Sequence, residues 1–111
     1  MNAIYFDQIY ELLKKNVASV AKDTVTDYET EAKKDGQQAL ENMKENLGHW
    51  AQEVENGAMT AEDLRFLLNS EAGLDEMIAL KEAGLAAVQV DKFKDGLINM
   101  VIGTVTGLVK I

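Results

Sequence analysis

His49 is the only histidine in the chain, and Glu45 and Glu53 stand one helical turn to either side of it, with Glu41 a further turn back. On a helix these four residues share one ridge. Imidazole and carboxylates on a shared ridge are the raw material of a di-iron bundle, which uses paired Glu-x-x-His motifs and glutamates from neighbouring helices. Here the spacing is Glu-x-x-x-His, it occurs once, and there is no second histidine. The ridge flanks an apolar stripe through Leu47, Trp50 and Val54, so it reads as the solvated side of an amphipathic helix. No metal and no cofactor are expected.

The acidic segment from Asp27 to Asp35 invites a calcium reading and fails its test. With Asp27 as first ligand, the required glycine falls on Ala32, and the twelfth position falls on Gln38 rather than a glutamate. Asp23, Asp27 and Glu31 form instead an i, i+4 ridge. Nucleophilic chemistry has little to work with: Cys is absent, and Ser19 and Ser70 lie in no nucleophile-elbow context. Neither Gly-x-x-x-x-Gly-Lys-Ser/Thr nor Gly-x-Gly-x-x-Gly occurs, so phosphate loops are absent. With nineteen acids, chance carboxylate pairs are certain and carry no information. No enzyme is expected from these groups.

The elements that carry these residues are read from periodicity. A chain of 111 residues without Pro or Cys is one domain, residues 1–111, that must hold a core without disulfides. Good helix formers dominate residues 30–85. Phe6, Tyr10, Leu13, Val17 and Val20 follow helical spacing, as do Leu40, Met43, Leu47, Trp50 and Val54. Between them the pattern thins to Val25, Tyr28, Ala32, Gly36 and Ala39, and the stretch Asp23–Asp27 suits a turn. Residues 2–55 are therefore two antiparallel helices or one very long helix. The long form would span about 80 Å and could not bury its stripe in one small domain, so two helices are favoured. Gly48 and Trp50 are in the reverse of the order that marks a helical-hairpin secretion substrate, and Trp50 fits the core register.

Asn56-Gly57 suits a left-handed helix end. Thr60 with Asp63 forms a shortened capping box, and Met59 and Leu64 a hydrophobic staple, opening a helix near 61–69. Ser70 can cap the next turn. Leu74, Met77, Ile78 and Leu80 define a further short helix, ended at Gly84. A last helix begins near Leu85 or after Asp91. Val101–Thr106 is rich in β-branched residues, but a lone strand would leave its backbone unpaired. The fold expected is all-α, a bundle of four or five helices around a buried, glycine-containing C-terminal helix.

That helix holds the most distinctive segment. No charged residue occurs from Gly96 through Val109, in a chain of net charge −8. Such a stretch must be covered. Gly96, Gly103 and Gly107 each cost up to about 1 kcal/mol against Ala in a helix, a cost that close helix–helix approach can offset. The candidate interface is Phe93, Gly96, Leu97, Met100, Gly103, Thr104, Gly107 and Leu108. The function expected is a non-enzymatic helical module that forms a homo-oligomer or binds another protein. A second expectation is a small acidic regulator of a basic partner, motivated by charge alone. A third is peripheral membrane association through residues 93–111. A spanning helix is not expected, because the uncharged stretch falls short of the ~20 residues required. Nucleic acid is excluded by the lack of clustered Lys and Arg. The N-terminal MNAIYFDQIY has no basic region and is interrupted by Asp7, so no signal peptide is read and cytoplasmic residence is expected.

Overall fold

The 4-3-4-3 spacing of Phe6, Tyr10, Leu13, Val17 and Val20 becomes α1 (Ala3–Thr24), which ends where the apolar pattern thins. A computed structural model describes residues 3–71, 74 and 76–109, and the side chains of all of these except 3–5, 108 and 109. Two threonines close α1. The Thr24 hydroxyl donates to the Val20 carbonyl and the Thr26 hydroxyl to the Lys22 carbonyl, each at 2.7 Å. They satisfy carbonyls that a helix end otherwise leaves without partners. A single 3-10 turn (Thr26–Tyr28) then reverses the chain into α2 (Glu29–Asn42), which packs back along α1.

The hairpin expected of residues 2–55 is present, and it carries a further break. Met43 departs from helical geometry (φ −112°, ψ 16°) between α2 and α3 (Lys44–Glu55). The apolar stripe continues across the break through Leu40, Met43 and Leu47, all buried. The chain therefore bends to keep one stripe on the core, which one straight helix could not do in a small domain.

The next two helix ends use the same device. After α3, Ala58 N–H donates to Glu53 C=O and Gly57 N–H to Val54 C=O, with Gly57 at φ +77°. This is the paired-bond ending that a left-handed glycine permits. Thr60 then starts α4 (Ala61–Asn69) with the full capping box. Its hydroxyl accepts from Asp63 N–H, and the Asp63 carboxylate accepts from Thr60 N–H, both at 3.1 Å. Met59 and Leu64, the expected staple, are both buried in the core. Ser70 does not cap forward; its hydroxyl donates back to the Phe66 carbonyl at 3.0 Å.

The short helix expected around Leu74–Leu80 is α5 (Ile78–Glu82), and Leu74 and Met77 stand before it. It ends on Gly84 (φ +88°) with the same pair of bonds, Leu85 N–H to Leu80 C=O and Gly84 N–H to Lys81 C=O. The C-terminal helix is α6 (Ala87–Val109), and the β-branched run Val101–Thr106 is helical within it. Six α-helices and no strand are found among the described residues, an all-α bundle.

One core cluster joins all six helices. Helix α6 runs through it against α1, α3, α4 and α5, so it is apolar on several sides. Phe93, fully buried, contributes roughly 1.5–3 kcal/mol by its burial alone. Two glycines let helices meet. A Cβ on Gly36 would stand 2.7 Å from Val17 Cγ1 and 3.3 Å from Phe93 Cζ, and one on Gly96 would stand 2.9 Å from Val20 Cγ1. At those points α1, α2 and α6 approach more closely than any side chain allows. No helix among the described residues is long and apolar enough to cross a membrane.

Candidate functional site

Asp35 is the one charged residue buried in the described structure, at 8 % exposure. It lies on α2 between Ala32 and Ala39, inside the apolar stripe. Its carboxylate crosses to α5. Oδ1 accepts from Ala79 N–H at 2.9 Å and Oδ2 from Leu80 N–H at 2.8 Å. These are the second and third amides of α5, which no local side chain caps. The residue at the cap position, Met77, is left-handed (φ 38°, ψ 50°), a conformation that costs a non-glycine residue roughly 1–2 kcal/mol. A buried carboxylate from another helix thus does the work of a helix cap. Both of its oxygens are engaged, so it is a structural acceptor with no spare capacity for a metal or a proton relay.

Beside this clasp, α2 and α5 enclose a groove of about 460 Å³. Ala39, Met77 and Ile78 line its apolar part, and Lys34, Glu76 and Glu82 its charged part. Ile78 is 56 % exposed there. A second groove of about 640 Å³ follows α1 past Leu12, Lys14 and Lys15 to Gln37 of α2. A third, of about 420 Å³, lies between α5 and α6 over Leu85 and Val90.

Tyr10 forms a separate polar cluster. The ring is buried and its hydroxyl donates to Glu41 at 3.2 Å. Burial, then the hydrogen bond to Glu41 and the charges of Glu41 and Glu11, push the phenol up to about 12. It is a neutral donor throughout the physiological range. Lys44 and Lys14 stand 4.7 and 5.5 Å over its ring, within cation–π reach.

The sequence-derived candidates fall in different places. Glu41, Glu45, His49 and Glu53 are all exposed, as a solvated ridge requires. No group of three or more His, Cys, Asp or Glu side chains gathers as a metal site among the described residues. Trp50 is partly buried against the core.

Of the candidate interface, Phe93 and Leu97 are consumed by the chain's own core. Gly96 packs on α1, Met100 is half-buried, and Thr104 accepts a hydrogen bond from Asn16 of α1 at 3.4 Å. Gly103 and Gly107 face solvent, with no atom within 4 Å of either Cβ position. The side chain of Leu108 lies outside those described. The strip read as continuous is therefore divided between the inside and the outside of the bundle. Outside it, Phe66 and Val88 are 72 % and 80 % exposed.

Sequence reasoning passed over Asp35. Its signal was an acid within an apolar stripe, three residues after Ala32 and four before Ala39. Compared with known proteins, the chain matches no family model, no curated protein and no solved structure.

Proposed function

We propose that this chain is a non-enzymatic helical interaction module that self-associates through apolar side chains left outside its core. The observation that carries the reading is the exposure of Phe66, Ile78 and Val88 around a core cluster that already joins every helix. Burying such side chains on association removes roughly 25 cal/mol for each Å² of apolar surface taken from water. The grooves and polar clusters supply acceptors and neutral donors, and they bring no nucleophile together with a base. Gly103 and Gly107 add an uncharged stretch of exposed helix that a second backbone can approach closely.

The test is mass against concentration, by light scattering on a sizing column in detergent-free buffer. Discrete dimers or tetramers are expected. A particle of 12.2 kDa at every concentration would refute self-association. Leucine at Gly103 or Gly107 meets open space within the chain, so a change in mass for those variants reads the association and not the fold.

A further inference from the structure

We propose that the groove between α2 and α5 receives a second copy of this chain, through Phe66 and the charges beside it on α4. The proposal rests on the self-association reading and adds the two surfaces that meet.

The groove presents a fixed apolar projection. Ile78 is held at its edge by the left-handed turn at Met77 and by the grip of Asp35 on the two following amides. Backbone strain and a buried carboxylate are both costly, and they persist only where the surrounding structure enforces them. Together they fix a side chain that the core does not use.

The charges supply the partner. On the α2 wall stands Lys34, and Glu76 and Glu82 stand on the α5 side. Helix α4 carries the opposite pattern. Phe66 follows directly on Arg65, the only arginine in the chain, and Glu62 lies one turn before it. Seating Phe66 against Ile78 and Ala39 brings Arg65 toward Glu82 or Glu76, and Glu62 toward Lys34. The signs are opposite in both pairs, as electrostatic complementarity requires. Within the chain itself none of Lys34, Glu62, Arg65, Glu76 and Glu82 has an ion-pair partner among the described residues. The contact made twice about a two-fold axis closes a dimer.

The experiment is sedimentation equilibrium on the full chain and four variants, with thermal melts to verify folding. Phe66→Ala removes an exposed side chain, so the melt stays near wild type while dimer affinity falls roughly 30-fold. Arg65→Glu and Glu82→Arg each weaken the dimer, by about tenfold or less, by setting like charges together. The combination Arg65→Glu with Glu82→Arg dimerises more tightly than either single variant. If Phe66→Ala leaves affinity unchanged, or the two charge reversals merely add, the docking surface is wrong and self-association uses another face. A wild-type chain that is monomeric throughout removes both the surface and the reading it rests on.

Discussion

Asp35→Ala deletes the side chain that satisfies the first turn of α5, and its cost can be worked from the geometry. Two charge-assisted hydrogen bonds are lost, at 2.9 and 2.8 Å. Each contributes about 1.5–3 kcal/mol, against which stands the desolvation of a nearly buried carboxylate. The amide of Leu80 is left without its acceptor in a buried position, which alone costs about 1–3 kcal/mol. The net loss we predict is about 3 kcal/mol, a large share of the roughly 5–15 kcal/mol that holds a domain together. Asp35→Asn keeps one acceptor and turns an NH₂ toward the other amide, so it should lose about half as much. At about 4 °C per kcal/mol for a chain of this size, the alanine variant melts roughly 12 °C below wild type. Thermal and urea melts followed by far-UV circular dichroism measure this, with an unchanged urea slope marking a true stability change. Asp27→Asn, an exposed acid of the same segment, is the control and should stay within about 0.5 kcal/mol of wild type. An Asp35→Ala melt within about 2 °C of wild type would refute the clasp as a source of stability.

Gly36→Ala should destabilise by about 1–2 kcal/mol, because its Cβ collides with Val17 and the helix propensity gained offsets only part of the overpacking. Gly103→Ala meets open space and should stabilise by about 0.5–1 kcal/mol; urea midpoints of the two variants must move in opposite directions. The Tyr10 phenol, raised from 10.0 to about 12, keeps its proton in the folded state where the unfolded chain has lost it. Its contribution is complete below pH 10 and drains away as pH rises toward 12, so Tyr10→Phe should flatten the alkaline limb of a stability–pH profile. An unchanged limb would count against the Glu41 hydrogen bond. Thr60→Ala should cost about 1 kcal/mol in a chemical melt by opening the capping box, and a neutral result would contradict it.

The sequence made the local devices legible. Thr60 with Asp63, Gly57 and Gly84 announce helix ends by chemistry confined to a few residues, and each stands where that chemistry puts it. The all-α fold and the burial of the C-terminal helix followed from periodicity. What escaped was set by tertiary packing. The bend at Met43 has no glycine or proline to mark it. Met77 carries no mark of a left-handed residue, because the force that holds it there comes from α2. Asp35 caps amides 44 and 45 positions away, a pairing that no local pattern records. The glycines of α6 were read as one strip because Gly96 and Gly103 are a heptad apart, about 20° from alignment. Helix α1 touches the strip at Gly96 and meets α6 through Asn16 and Thr104 further on, leaving Gly103 and Gly107 uncovered.

The cross-chain clasp also orders events in time. Helix α5 spans five residues, far below the length at which a helix persists alone in water. Its first amides find their acceptor only after α2 has formed and the intervening loop has closed. The hairpin of α1 and α2 needs only its own short turn. Folding should therefore nucleate on that hairpin, with the turn at Met77 set in the last steps. Mutations at Ala79 or Leu80 would then speed unfolding and leave the folding rate nearly untouched, giving φ-values near about zero.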